Sequence, residues 1–375
     1  MEVPPPPPFT TDTLLAEASQ VFGFGAPETM RLAQELFEMG LITYHRTDST
    51  RISPTGIGIA REYLQTLFGD EAQRLFVPRT WGEGGAHEGI RPTRPIDSER
   101  LRELIAEGVI ELAARITSKH YQLYDLIFRR FMASQMRSAI VERTTYLVEV
   151  YYIKEDMPIK IFETTASVIT DVLYPGFMLI YMPLRVMPLP KEIIELIPHS
   201  IKSKSVSDVV LPSQGDIVKW MREVGIGRPS TYAKIVEVLL RRGYVTQRRG
   251  RDVLVPRMKG MLVYAVLAGL NLPETRNELM NEIDRIVSLI VKRIRLRNVE
   301  PEVLKKVLME AIKQAKHGIV SMVSLDRTSE LQRAMNLIEK GEAKYEDILN
   351  ELFKEMCENL LIPEFKYVPK EVCTA

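Results

Sequence analysis

The sequence predicts a multidomain α+β protein: a helical segment, then a β-rich one, then a mainly helical one containing a small hairpin. Three observations carry this. The 375 residues suffice for two or three domains, and 45% apolar and 26% charged content is that of an ordinary globular protein. Apolar residues recur at helical spacing before about residue 118 and again after Ser213. Between them, TTYLVEVYYI and IKIFETTASVIT are rich in Val, Ile, Thr and Tyr, the composition of strands.

The elements follow in order. Residues 1–8 include the stiff run Pro4 to Pro8, which reads as a solvated proline-rich leader. Residues 9–118 read as a helical domain. Pro27 suits a first helical residue, Met30, Ala33 and Phe37 keep helical spacing, and Gly40 suits a C-terminal cap. Ser53-Pro54 starts another helix that Gly69 stops. The glycine-rich loop WGEGGAHEGIRPTRP follows, where Pro92 and Pro95 forbid a regular helix, and helical spacing resumes near Ser98.

Residues 119–205 form the β-rich segment, strand character setting in after about Met136. DVLYPGFMLIYMPL extends it across a Pro-Gly turn. Residues 206–375 form the second helical region. Within it PSTYAKIVEVLLRRG reads as a helix from Pro229 to a stop at Gly243, and YVTQRRGRDVLVP as two short strands around an Arg-Gly turn. A helix followed by a basic hairpin is the layout of a winged helix, a DNA-binding arrangement. The stretch 273–322 carries no interpretable motif.

With 50 Lys+Arg against 49 Asp+Glu, overall charge does not announce a nucleic-acid binder. From Arg222 to Lys259, however, ten basic residues face three acidic ones, enough to hold a polyanion locally. Two cysteines, Cys357 and Cys373, exclude a disulfide framework and a multi-cysteine zinc ribbon, and fit a cytoplasmic location. No apolar run reaches membrane-spanning length.

Three motifs carry chemistry. In LITYHRTDST, an extended chain would put Tyr44 and Arg46 on one face and His45 on the other. A phenol beside a guanidinium can attack a phosphodiester while the arginine offsets charge on the phosphate oxygens. The plain alternative is a packed tyrosine at a helix exit. In AHEGIRPT, His87, Glu88 and Arg91 lie in a loop stiffened by Pro92, and His87 is suited to hydrogen bonding a phosphate. No second His or Cys stands at zinc-ligand spacing. In VGIGRPSTYAKIVEVLLRRGYV, Gly225 and Gly227 allow close backbone approach. Arg228, Ser230 and Thr231 stand at a helix start, where free N–H groups and hydroxyls suit a phosphate, or where a Ser/Thr merely caps the helix.

In their order and approximate spacing, LITYHRTDST, AHEGIRPT and GIGRPSTYAKIVEVLLRRGYV resemble the type IA DNA topoisomerases over roughly residues 9–265. YQLYDLIFRRFMASQM looks like the family's segment entering its β-rich gate. Tyr44-His45-Arg46 and Arg91-Pro92-Thr93-Arg94-Pro95 look most like the topoisomerase half of reverse gyrases. Gly89 stands where the family usually has alanine.

The resemblance implies an arch enclosing a hole wide enough for DNA. It implies Tyr44 as the nucleophile of a 5′-phosphotyrosyl link and Arg46 as the transition-state stabiliser. His87 and Arg91 would bind DNA near the cut, and Arg228, Ser230 and Thr231 would hold the single strand upstream. The family's Toprim domain binds Mg2+ through an Asp-x-Asp-x-Glu cluster, but no Asp-x-Asp occurs here, nor any Gly-Lys-Ser/Thr phosphate loop for ATP. This chain therefore resembles the small subunit of a two-chain reverse gyrase. Its larger partner would carry the Toprim domain with Mg2+ and a helicase-like ATPase with ATP, and the pair would introduce positive supercoils. A split or truncated relaxing topoisomerase and a noncatalytic DNA-binding scaffold are the rivals.

Overall fold

A computed structural model describes the chain except residues 84–86, 113, 156, 183–185, 188–209, 249–251, 268–323 and 360–375. The expectation for 273–322 lies outside the described residues. Two compact units divide the chain, Met1–Val210 and Leu211–Ala375.

In the first unit, helices α1 (Thr11–Phe22), α2 (Ala26–Glu38), α3 (Pro54–Phe68), α4 (Ala72–Leu75), α5 (Ser98–Ala106) and α6 (Ser118–Ser134) surround one apolar core. Ser53 starts α3 as read from sequence, its hydroxyl accepting from Gly56 N–H; α5 is capped by the Asp97 carboxylate, which accepts from Glu99 and Arg100 N–H. Pro27 stands one residue inside α2 rather than at its first position. The buried face of α2 carries Thr29, Leu32, Ala33 and Leu36. Phe37, one step round, is exposed and turns to the tyrosine loop instead.

Helix α6 is the centre of this unit. It packs against α1, α2, α3 and α5, burying Leu123, Tyr124, Ile127, Phe128 and Phe131. The sequence suggests a boundary at 118/119, but α6 spans it and is built into the helical core. Its apolar residues face almost all round, which is the pattern of a helix enclosed by others.

From α6 the chain runs into a long antiparallel ribbon, β2 (Ala139–Lys154) and β3 (Met157–Tyr174), with β1 (Glu2–Val3) paired at its foot. Ala139 and Val141 enter the core, whereas the described residues from Leu147 to Phe162 lie exposed. The expected strand across Pro175-Gly176 is not formed. β3 stops at Tyr174, and Gly176 (φ 50°) opens a 3-10 turn that sends Phe177, Met178 and Tyr181 into the core. A Cβ on Gly176 would lie 2.5 Å from the carbonyl oxygens of Arg137 and Ser138, so only glycine fits this corner.

The proline run also departs from expectation. Pro5 and Pro8 are buried, and the Pro7 carbonyl accepts from Arg130 Nε at 2.7 Å. Polyproline makes no internal hydrogen bonds, so its carbonyls are open to such a donor. The Arg130 guanidinium also lies over Phe9 and pairs with Glu17 at 2.8 Å. This segment is packed rather than solvated.

The second unit begins with α7 (Gln214–Glu223), capped by reciprocal bonds between Ser213 and Asp216. Then come α8 (Tyr232–Arg241), the hairpin β4 (Val245–Gln247) and β5 (Leu254–Pro256), and α9 (Met258–Leu267). α10 (Leu325–Glu339) and α11 (Tyr345–Asn359) complete its described helices. α8 starts at Tyr232 rather than Pro229 because Thr231 Oγ1 and the Arg228 backbone close a turn first. Helix and hairpin stand in the order that a winged helix requires.

Candidate functional site

The tyrosine and histidine motifs are joined by backbone pairing. Ile42 bridges Pro92, Thr43 N–H donates to Arg91 O at 2.9 Å, and Thr93 N–H donates to Leu41 O at 3.1 Å. The Thr43 hydroxyl donates to Gly89 O and receives Arg91 N–H. Residues nearly 50 apart in sequence thereby form one short antiparallel ladder, and it ends at Tyr44.

Tyr44 is half-buried. Its ring lies 4.7 Å from the exposed ring of His87, with Phe37 edge-on at 5.4 Å. His45, next in the chain, is fully buried. Its pKa is lowered to about 4, first by burial and then by the Arg46 charge, with Glu38 opposing. Arg46 is exposed and donates to Gln34 Oε1 at 3.2 Å, a solvent-side contact on α2. Exposure alternates along Tyr44, His45 and Arg46, but the chain bends at His45 and Arg46 instead of running extended, and the Tyr44 and His45 rings lie 5.6 Å apart rather than on opposite faces. The loop is fixed from below by Thr11, whose hydroxyl donates to His45 O and Thr47 O and accepts Thr47 N–H.

Arg91 stands differently from expectation. It is 5% exposed and grips Glu88 with two hydrogen bonds, Nε at 3.0 Å and Nη2 at 2.5 Å. Nη1 donates to Pro92 O, and Nη2 also reaches Ser53 Oγ. A guanidinium so committed is a clamp rather than a phosphate contact. Glu88 in turn accepts Ser53 N–H at 3.0 Å, tying the histidine loop to the start of α3. Burial would raise the Glu88 pKa, but the hydrogen bonds from Arg91 and Ser53 outweigh it and hold the carboxyl below its ordinary range. A Cβ on Gly56 would come 2.7 Å from Arg91 Nε, so α3 needs glycine there for Arg91 to seat. Gly89 is buried with its Cβ position 3.1 Å from Pro8, which accounts for the smallest residue at that point.

The third motif lies in the second unit. Ser230 and Thr231 are exposed, and Arg228 is partly so. These lead into α8, and Arg228 and Ser230 line a 440 Å³ cavity with Met335, Ile338 and Glu339. Arg228 Nη1 sits 3.6 Å from Glu339. Gly225 and Gly227 are approached by the chain's own Ser329 and Tyr232 side chains.

Sequence reasoning missed Thr11, Phe37 and the clamp role of Glu88. Thr11 follows the α1 cap Thr10 and looks like ordinary helix-start chemistry. Only its contacts to a loop 34 to 36 residues away reveal its role. Among the described residues, no helix is long and apolar enough to cross a membrane. Nor does any group of three or more His, Cys, Asp or Glu there suit a metal ion.

The family profile described as DNA topoisomerase matches residues 1–293. The chain is 42% identical over 374 residues to "Reverse gyrase 1" of Aeropyrum pernix, covering 96% of this chain and 25% of that protein. It is 40% identical over 360 residues to "Reverse gyrase" of Pyrococcus furiosus, covering 95% of this chain and 24% of the other. It thus spans about a quarter of the length of these relatives. Among solved structures, full-length topoisomerase I from Thermotoga maritima matches with a TM-score of 0.63 and 26% identity, over 96% of this chain and 50% of that one.

Proposed function

Since the chain belongs to the DNA topoisomerase family, in its type IA branch, we propose that it is the tyrosine-bearing part of a reverse gyrase and cleaves one DNA strand through Tyr44. The observation that carries this is the ladder that ends at Tyr44 with the His87 ring 4.7 Å away, both open to solvent on one side.

The Tyr44 phenol oxygen bonds to phosphorus as its proton passes to solvent. The P–O3′ bond breaks, and the 3′ oxygen leaves and takes up a proton. A 5′-phosphotyrosyl ester replaces one phosphodiester, so religation is the same step in reverse and consumes no ATP. Arg46, exposed beside the phenol in sequence, offsets charge on the phosphate oxygens, and His87 hydrogen-bonds the strand near the cut. Arg91 acts through Glu88 by holding the loop that carries His87. Arg228, Ser230 and Thr231 take the strand upstream.

We place the Mg2+ site and the ATP-driven part on a larger partner, with which this chain works as a heterodimer in the cytoplasm. Positive supercoiling then requires both. Identity near 40% to reverse gyrases against 26% to the solved topoisomerase I favours this over a relaxing enzyme.

The test uses labelled single-stranded DNA, Mg2+ and the complete enzyme, denatured after reaction. Wild type should carry label covalently. Tyr44→Phe should bind DNA but carry none, and an adduct surviving that change would exclude Tyr44. Supercoiling assays with ATP separate the reverse gyrase reading from simple relaxation.

A further inference from the structure

His45 is a buried histidine for which the described fold supplies no hydrogen-bond partner. Its side chain is wholly enclosed, and neither Nδ1 nor Nε2 is met by any described residue. Buried polar atoms are ordinarily paired, so two orphans on one ring call for a cause. Loose chain is not the cause. The His45 carbonyl accepts the Thr11 hydroxyl at 2.8 Å, and Thr47 N–H donates to that same hydroxyl at 2.9 Å. The backbone is pinned on both sides of the residue. Two aromatic rings lie near the imidazole, Tyr44 at 5.6 Å and Phe37 at 6.0 Å between ring centres, and the Arg46 and Glu38 charges act on it with opposite sign. Burial keeps the ring neutral, with one N–H to give and one bare nitrogen to receive.

We infer that His45 is a positioning residue for Tyr44, and that its ring nitrogens find partners only when the phenol turns away to meet a DNA phosphate. The inference rests on Tyr44 as nucleophile. With the phenol at rest against it, the imidazole is shut off from water. Turning the phenol outward opens that side of the imidazole to solvent or to a phosphate oxygen. The resting arrangement therefore carries a desolvation penalty that departure of Tyr44 relieves, and the tyrosine is biased toward attack. An apolar side chain at 45 removes the penalty and deepens the resting state, because replacing an unsatisfied polar group by an apolar one is neutral or stabilising. Proteins accept such local faults where function needs them.

The test compares wild type, His45→Phe, His45→Leu, His45→Asn and Tyr44→Phe in the complete enzyme. His45→Phe and His45→Leu should melt about 2–4 °C higher, bind single-stranded DNA as wild type does, and form the covalent adduct about tenfold more slowly. His45→Asn, which keeps a donor and an acceptor, should recover part of the rate. Nitrogen-15 spectra of the ring should show unbonded nitrogens in the DNA-free protein and a shift of one of them when DNA binds the uncleaving Tyr44→Phe protein. The inference is overturned if His45→Phe forms adduct at the wild-type rate. Lower melting of both apolar variants, or ring nitrogens already hydrogen-bonded without DNA, overturns it too. If wild type forms no adduct, or Tyr44→Phe still does, the reading of Tyr44 itself fails, a different result from an unaffected His45 variant.

Discussion

Two groups in one loop system, His45 buried and Glu88 partly so, respond to acid in different windows. His45 has its folded pKa near 4, below the ordinary 6.5. The unfolded chain then binds more protons than the folded one between those values. Stability is complete above about pH 6.5 and falls as pH drops toward 4. Glu88 is lowered from 4.5 by the Arg91 and Ser53 hydrogen bonds after burial is overcome. Its contribution is present above 4.5 and is lost only as pH falls through its folded value. Urea unfolding across pH should therefore show two separable slopes. His45→Phe should flatten the one between 6.5 and 4, and Glu88→Gln the one below 4.5. At pH 7, Glu88→Gln should also cost about 1.5–3 kcal/mol, because it weakens charge-assisted bonds to a buried guanidinium. An acid limb unchanged in Glu88→Gln would mean that Arg91 finds other partners.

At the scale of elements, the start of α3 offers a pair of opposite predictions. Gly56→Ala would put a Cβ 2.7 Å from Arg91 Nε and 2.8 Å from Ile52 Cγ2. Alanine gains about 1 kcal/mol of helix propensity over glycine, but overpacking against a clamped arginine costs about 1–3 kcal/mol, so the variant should be less stable. Gly58, in the same helix, meets nothing within 4 Å, and Gly58→Ala should be stabilising by about 0.5–1 kcal/mol. Thermal melts of the two should move in opposite directions.

The same helix illustrates what sequence could reveal. Ser53, Gly69 and Gly40 signalled helix ends correctly, because capping depends on neighbours within four residues. Tyr44 and His87 were legible as separate motifs but not as touching rings, since Thr43 and Arg91, which join them, stand 48 positions apart in the chain. Arg91 read as a phosphate ligand because its charge is visible in the sequence and its burial against Glu88 is not. The strand after Pro175 failed for a related reason. Phe177, Met178 and Tyr181 have strand-like composition, but the helical core claims them.

At the scale of the whole molecule, near-zero net charge conceals a basic stretch from Arg222 to Lys259, and DNA affinity should depend on that stretch rather than on the total. Part of it is already engaged: Lys234 pairs with Glu237 at 3.0 Å, and Arg228 lies 3.6 Å from Glu339. If Arg228 holds the strand as proposed, it exchanges a carboxylate for a phosphate when DNA arrives. Glu339 is 75% exposed, so the pair it makes is weak and a phosphate displaces it readily. Noncovalent binding of single-stranded DNA, measured against salt, separates the two partners. Arg228→Ala should weaken binding similarly for all sequences and reduce the slope of log K against log salt by about 0.7, the loss of one phosphate contact. Glu339→Gln should tighten binding, by no more than about fivefold, and most at low salt, where the competing charge is least screened. A slope unchanged in Arg228→Ala would remove this arginine from the DNA path. If Glu339→Gln weakened binding, the carboxylate would be orienting Arg228 for the strand rather than competing with it.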